Sequence, residues 1–100
     1  MTATAEKTVR VVNPMGIHMR PADLISRAAG QFDSNIEIEK EGTVVDCKSI
    51  MSLLTLGARQ GSELQLRAQG DDAEQAVSEI AKLFDQGFDE SDSELEPESA

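Results

Sequence analysis

The stretch Asn13–Ala22 contains the only histidine in the chain and separates two kinds of regular structure. Pro14 and Gly16 interrupt a strand-like run of valines, since proline cannot donate to a strand ladder and glycine favours turns. Pro21 fits the first turn of a following helix, where its missing N–H has no intrahelical partner to lose. His18 is therefore predicted to lie where a loop turns into a helix.

A histidine in this position can be placed beside an anion. The first N–H groups of a helix have no intrahelical acceptor and carry partial positive charge, so they can hold a phosphate group. Arg20 adds a fixed positive charge two residues after His18, and a neutral imidazole can act as a nucleophile near pH 7. The spacing suggests a histidine that carries a phosphoryl group. The alternative is a cap or an ordinary surface residue, which is the more frequent role of a lone histidine at a helix start.

The hydrophobic pattern divides the chain into alternating strands and helices within one small domain. Strands are predicted where apolar residues alternate with polar ones, at 7–12, 35–40, 43–46 and 63–68. Helices are predicted where apolar residues recur every three or four positions, at 19–31, 50–56 and 73–86. The order βαββαβα predicts an α+β fold of two layers, an open-faced sandwich with a four-stranded antiparallel sheet covered on one face by three helices.

Acidic residues are concentrated at the end of the sequence. The net charge is −10, and seven of the 19 acidic residues but none of the nine Lys and Arg residues follow residue 84. We expect a domain at 1–88 and an acidic, disordered tail at 89–100, whose simplest role is solubility. A chain without a basic stripe is not expected to bind nucleic acid. No apolar run approaches the roughly 20 residues of a membrane span, so a cytoplasmic protein without membrane insertion is expected.

The other reactive residues argue against several kinds of site. Cys47 is alone, which excludes a disulfide within the chain, and it is predicted to be a small, partly buried core residue. One histidine and one cysteine do not make a metal site, and no glycine-rich or acidic loop has the spacing of a nucleotide or calcium site. We therefore expect no metal, no cofactor and no independent kinase or hydrolase activity. The phosphoryl group must then come from a phosphorylated partner.

Two motifs resemble HPr, the histidine phosphocarrier of the bacterial phosphoenolpyruvate:sugar phosphotransferase system. The sequence G-I-H-M-R-P-A at 16–22 is similar to the phosphorylation motif of that family, G-(I/L)-H-A-R-P-A, and Met19 is the one departure. The sequence K-S-I-M at 48–51 is similar to the regulatory serine site found mainly in Gram-positive members. The resemblance covers roughly residues 7–86 and implies the same βαββαβα fold.

The resemblance also implies roles for individual residues. His18 would accept a phosphoryl group on Nδ1 from phosphorylated enzyme I and pass it to the A component of a sugar-specific enzyme II, while Arg20 balances the charge. Ser49 would be the target of HPr kinase/phosphorylase, although a serine there also fits an ordinary helix N-cap, and both roles can hold together. We expect a monomer. The alternatives are a regulatory relay in carbon or nitrogen control without sugar transport, and a binding module in which His18 is silent.

A partner-docking patch is expected around the histidine. An exposed apolar ring beside a reactive residue is typical of a docking surface, and methionine suits a surface that must fit several partners. Three apolar residues flank His18, and three more at the start of the second helix cannot all face one small core. These six residues are Met15, Ile17, Met19, Ile50, Met51 and Leu54. The alternative is that they belong to the core.

Overall fold

The computed structural model describes residues 3–89, which form a four-stranded sheet and three helices. The strands are β1 (Thr4–Arg10), β2 (Asn35–Lys40), β3 (Thr43–Asp46) and β4 (Glu63–Gln69), and the helices are α1 (Met19–Ala29), α2 (Ile50–Thr55) and α3 (Ala73–Asp85). The predicted order and the predicted open-faced α+β fold are confirmed. A single 3-10 turn at Gly87–Asp89 follows α3. The predicted acidic tail lies, except for Asp89, outside the described residues.

The sheet has the strand order β1-β4-β2-β3, and every neighbouring pair is antiparallel. Leu66 in β4 pairs with Lys7 on one side and with Ile38 on the other, so it lies at the centre of the sheet. Along β4, Leu64, Leu66 and Ala68 are buried, while the residues between them are only partly covered. This alternation assigns one face of the sheet to the helices and leaves the other to solvent.

The core is almost entirely aliphatic, because the chain has no Trp or Tyr and only three Phe. Its largest fully buried apolar side chains include Phe84, Phe88, Ile25, Ile36, Ile38, Leu53, Leu64, Leu66, Ile80 and Val11. The six apolar positions that predict the inner face of α3 are all buried: Ala73, Ala76, Val77, Ile80, Ala81 and Phe84. Cys47 is completely buried rather than partly buried. Burial, reinforced by the negative charges of Asp46 and Glu37, raises the pKa of the Cys47 thiol, which therefore stays protonated.

The first strand differs from its predicted bounds at both ends. It begins earlier, at Thr4, because residues 4–6 pair with the last residues of β4 despite lacking an apolar alternation. It ends at Arg10, because Val11 leaves the ladder and bonds to the loop before β4. The Val11 N–H donates to the Ser62 carbonyl oxygen at 2.9 Å, and the Gly61 N–H donates to the Val11 carbonyl oxygen at 2.7 Å. This loop, residues 57–62, is thereby held against the segment that leads to His18.

The Asp72 carboxylate connects the start of α3 to the loop before β2. It accepts hydrogen bonds from the backbone N–H groups of Asp33 at 2.9 Å and of Ser34 at 3.0 Å, and from the Ser34 hydroxyl group. The bond from the Ser34 hydroxyl, and after it the bond from the Asp33 N–H, lower the pKa of Asp72 below its usual value. The charged form of Asp72 is thus favoured in the folded state.

We expect Asp72→Asn to lower the free energy of unfolding at pH 7. A carboxyl group whose pKa is depressed by folding stabilises the protein above its unfolded pKa of about 3.9, and this contribution is lost as the pH falls below that value. The difference between variant and wild type should therefore shrink from pH 7 to pH 2.5. Urea unfolding at both pH values measures it, with the exposed neighbour Asp71→Asn as the control. A difference of the same size at both pH values would contradict this role of the charge.

Candidate functional site

His18 lies at the junction between the loop and α1, as the sequence predicts. It is the N-cap residue, with an extended backbone at φ −106° and ψ −163°, and its carbonyl oxygen accepts the Ala22 N–H at 3.0 Å. Its side chain makes no capping hydrogen bond to the helix and is half-buried. Pro21 is the third helical residue. The side chain that could react thus stands at the positive end of α1, beside the backbone amides of Met19 and Arg20.

A tight turn at Asn13–Gly16 holds the backbone before His18. The Gly16 N–H donates to the Asn13 carbonyl oxygen at 3.1 Å, which closes the turn. The Gly16 carbonyl oxygen then accepts two hydrogen bonds, from Asn13 Nδ2 at 2.7 Å and from the His18 N–H at 3.1 Å. The Asn13 side chain is buried, so this arrangement is shielded from water. The backbone of His18 is therefore fixed from within its own loop.

The same loop is anchored to residues far away in the sequence. The Ile17 N–H donates to the Ala58 carbonyl oxygen at 3.0 Å. Gly16 has φ +68°, and a Cβ atom there would collide with that carbonyl oxygen and lie 3.0 Å from the Arg59 Cα. Gly16 is therefore required both for its backbone conformation and for its lack of a side chain. Because Ala58 follows α2, this contact connects the end of α2 to the His18 loop.

The predicted docking patch is only partly exposed. Met15, Met19 and Met51 are 58%, 59% and 71% exposed, and Ile50 and Leu54 are half-buried. Ile17 is only 7% exposed and belongs to the core, so the expectation that it is an exposed patch residue is wrong. The physical reason is the hydrogen bond to Ala58, which holds the backbone of Ile17 against loop 57–62 while its side chain packs inward.

Two arginines, one in α1 and one whose backbone contacts the His18 loop, form no ion pair with the described residues. Within residues 3–89, the guanidinium groups of Arg20 and Arg59 form no ion pair, whereas each of the other three arginines contacts a carboxylate. Arg20 is exposed at the start of α1, as expected, and the backbone of Arg59 touches Gly16. Sequence reasoning missed Arg59, because only the tertiary contact brings it to the loop. We define Met15, Met19, Arg20 and Arg59 as the histidine-site surface.

Ser49 caps α2, as the sequence predicts. Its hydroxyl oxygen accepts the Ser52 N–H at 3.2 Å, and its carbonyl oxygen accepts the Leu53 N–H at 3.0 Å. The side chain is half-buried. The adjacent Lys48 uses its ammonium group to bond the Phe32 carbonyl oxygen at 2.8 Å, which connects the start of α2 to the end of α1. Ser49 is thus a structural cap and also a hydroxyl group near the exposed Met51.

A match between the sequence and a family model shows to which protein family the chain belongs. The model described as the PTS HPr component phosphorylation site matches residues 5–86, which include the turn, His18, Arg20 and Ser49. The chain belongs to the HPr family. HPr proteins are phosphocarriers of the phosphotransferase system, and the family implies partners such as enzyme I and enzyme II.

Relatives and solved structures agree with this membership. The chain is 46% identical to the phosphocarrier protein HPr of Treponema pallidum over 84 residues, which are 84% of this chain and 96% of that protein. It is 33% identical to the phosphocarrier protein NPr of Escherichia coli K12 over 88 residues, 87% of this chain and 98% of that one. A structure of HPr from Thermoanaerobacter tengcongensis matches with a TM-score of 0.84 and 39% identity, covering 87% and 98% of the two chains. An HPr dimer from the same organism matches with a TM-score of 0.70 and 40% identity, covering 86% and 99%.

Neither a metal site nor a membrane-spanning helix is found among the described residues. In the part of the chain that the structure describes, no three His, Cys, Asp or Glu side chains are grouped in a way that could hold a metal ion. None of the helices at 3–89 is long and apolar enough to cross a membrane.

We expect Gly16→Ala to destabilise the protein more than a matched glycine substitution. Gly57 has nearly the same conformation, φ +67°, but a Cβ atom there would meet nothing within 4 Å. Both variants should lose about 1 kcal/mol from the positive φ, and Gly16→Ala should lose about 1–3 kcal/mol more from the collision with Ala58. Urea unfolding of the two variants measures the difference. Equal losses would mean that the contact with Ala58 is not tight.

Proposed function

We propose that His18 accepts a phosphoryl group from phosphorylated enzyme I and passes it to the A component of a sugar-specific enzyme II. The observation that carries this proposal is the position of His18 at the N-cap of α1, beside the exposed guanidinium group of Arg20. Membership of the HPr family supplies the class of partner. The higher identity to HPr than to NPr favours the role in sugar transport.

The proposed transfer is an in-line displacement at phosphorus. A neutral ring nitrogen of His18, Nδ1 by family resemblance, attacks the phosphorus, and a new N–P bond forms while the bond to the donor breaks. The donor keeps the electron pair of the broken bond. The amides of Met19 and Arg20 are the available helix donors for the phosphoryl oxygens, since Pro21 has no N–H. The guanidinium group of Arg20 stabilises the negative charge that is spread over these oxygens during transfer.

Docking of both partners is proposed to involve the exposed methionines of the His18 loop, of the start of α1 and of α2. Met15, Met19 and Met51 are flexible, exposed and apolar, so they can adapt to different partner surfaces. The half-buried Ile50 and Leu54 would form the floor of this contact on α2. We expect the protein to act as a cytoplasmic monomer. Sedimentation equilibrium tests the monomer, and a dimer at micromolar concentration would contradict it.

The proposal is tested by incubation with enzyme I, phosphoenolpyruvate and magnesium. Mass spectrometry should show one phosphoryl group that is labile in acid and stable in alkali, and none on His18→Ala. Labelling of the His18→Ala variant would overturn the assignment to His18. Adding a sugar-specific A component should remove the group from the wild-type protein.

We expect Arg20→Ala to slow phosphoryl transfer by about tenfold or more, because the positive charge next to the transferring group is lost. The thermal midpoint should change little, since Arg20 is exposed and makes no ion pair within residues 3–89. Arg67→Ala is the matched control, because Arg67 pairs with Glu6 and Glu39 on the sheet face away from the helices. Initial rates of His18 phosphorylation measure the effect. Normal transfer by an Arg20→Ala protein with reduced stability would show that Arg20 has a structural role instead.

Ser49 is proposed to be a regulatory phosphorylation site for HPr kinase/phosphorylase. A phosphoryl group there adds a charge of about −1.5 to −2 beside the unpaired amides of α2, which favour an anion. The helix should therefore remain folded. The charge instead falls near the exposed Met51, where enzyme I would have to bury it against an apolar contact, and burial of an unpaired charge is unfavourable.

We expect Ser49→Asp to be folded and as stable as wild type within about 0.5 kcal/mol, since Asp is also a good N-cap. Its His18 should be phosphorylated several-fold more slowly by enzyme I. Ser49→Asn is the matched control, because Asn caps a helix equally well and adds no charge. The initial rate of His18 phosphorylation and the circular dichroism spectrum are measured for the wild type, Ser49→Asp and Ser49→Asn. Equal rates for the Asp and Asn variants would rule out the charge mechanism.

A regulatory relay is the second candidate function. It uses the same chemistry at His18 and differs only in the acceptor of the phosphoryl group. The position of Ser49 at the start of α2, near the exposed Met51, favours a regulated protein. A relay would still be phosphorylated by enzyme I but would not donate to sugar-specific A components. The rate of transfer to such an A component should be compared with the rate for the HPr protein that normally donates to it. Similar rates would exclude the relay.

A further inference from the structure

The last described residues return the chain to the His18 loop. After α3, three consecutive residues have left-handed backbone conformations: Gly87 at φ 61°, Phe88 at φ 57° and Asp89 at φ 59°. This conformation is unfavourable for Phe, so packing has to maintain it. Phe88 is completely buried and contacts Phe84 edge to face, with ring centroids 4.9 Å apart and an interplanar angle of 67°. Phe88 thus anchors the last described residues to the core.

The residue before Phe88 lies next to residues that position His18. A Cβ atom on Gly87 would be 3.5 Å from Val12 Cγ2 and 3.9 Å from Asn13 Cβ. Asn13 Nδ2 and the His18 backbone nitrogen both donate to the Gly16 carbonyl oxygen, at 2.7 Å and 3.1 Å. The Asn13 side chain and the His18 backbone are therefore neighbours. Gly87, two residues before the end of the described chain, therefore packs against the loop that leads to His18.

The sequence of that segment complements the histidine-site surface in charge and in polarity. Residues 90–100 contain five acidic residues, no basic residue and one large apolar residue, Leu95. The surface contains the guanidinium group of Arg20, two residues after His18, and the exposed Met15 and Met19. Arg59, whose backbone contacts Gly16, also forms no ion pair within residues 3–89. At about 3.3 Å per residue, the chain from Asp89 to Leu95 can extend about 20 Å.

We propose that residues 90–100 bind to the histidine-site surface of their own chain and compete with the docking of phosphorylated enzyme I. The acidic side chains contact Arg20 and Arg59, and Leu95 covers the methionines. Tethering at Phe88 makes this contact intramolecular, so weak individual interactions suffice to occupy the surface. The contact stands on the described geometry, while its effect on phosphoryl transfer rests on the proposed function.

Amide chemical shifts of the full-length protein test the contact without any partner. The variant carries Asp92→Asn, Glu94→Gln and Glu96→Gln. The control carries Asp33→Asn, Asp71→Asn and Glu74→Gln, which remove the same charge from exposed residues near the other end of β1. Only the tail variant should shift the amide signals of Met15, Met19, Arg20 and Arg59. High salt should move the wild-type signals toward those of the tail variant, because it screens ion pairs.

Phosphorylation rates test the competition. At limiting phosphorylated enzyme I, the tail variant should be phosphorylated about threefold faster or more than the wild type and the control, because a partner can bind only the fraction of molecules with an uncovered surface. Leu95→Asn should give a smaller increase than the triple tail variant.

The outcomes separate this proposal from the proposed function. Unchanged amide signals in the tail variant would overturn the contact, whether or not His18 carries phosphate. Shifted signals with an unchanged rate would overturn the competition. Signals that depend on protein concentration would show that the tail of a second copy covers the surface, which contradicts an intramolecular contact. If no variant is phosphorylated at all, the proposed function fails, and the amide signals still decide the contact.

Discussion

The close contact between Gly16–Ile17 and the Ala58 carbonyl group is the constraint on which the site depends. The oxygen of Ala58 accepts the Ile17 N–H at 3.0 Å and leaves no space for a side chain on Gly16. This contact fixes a turn that would otherwise be a surface loop, and it buries Ile17 beneath it. The start of α1, and with it the backbone of His18, is thereby held relative to the segment that follows α2. The proposed transfer between two partners would gain from such preorganisation, because less order has to be imposed on docking.

Positive charge around His18 arises from independent parts of the fold. The start of α1 contributes the amides of Met19 and Arg20, the Arg20 side chain contributes a guanidinium group, and the contact with Gly16 brings Arg59 to the same loop. The sequence as a whole carries a net charge of −10. Positive charge at this site is complementary to the phosphoryl group of a partner and, in the proposed tail contact, to the acidic residues of segment 90–100. Gly87 packs against Val12 and Asn13, so the last turn of the described chain lies beside the loop that leads to His18.

Most of the fold could be predicted from the sequence, because its periodicities are local. The alternation of β2 and the apolar stripe of α3 predict the bounds of these two elements to within about one residue. Ser49 predicts the start of α2, because serine is a favoured N-cap. The features that could not be predicted all depend on contacts between distant residues. The burial of Ile17 and the approach of Arg59 both follow from the Ala58 contact. The left-handed backbone at Phe88 is not signalled by Phe88 itself, since the burial of its aromatic side chain holds it in place.

The central claim is that this fold places a phosphoryl group on His18 against the first amides of α1. The most direct measurement is the NMR spectrum of the protein labelled with ¹⁵N, before and after phosphorylation by enzyme I and phosphoenolpyruvate. The claim predicts a single phosphorus signal bound to a His18 ring nitrogen, with the amide signals of Met19 and Arg20 shifted most strongly and the Gly57 signal unchanged. Phosphate on His18 that leaves the Met19 and Arg20 amides unaffected, or phosphate on another residue, would contradict it.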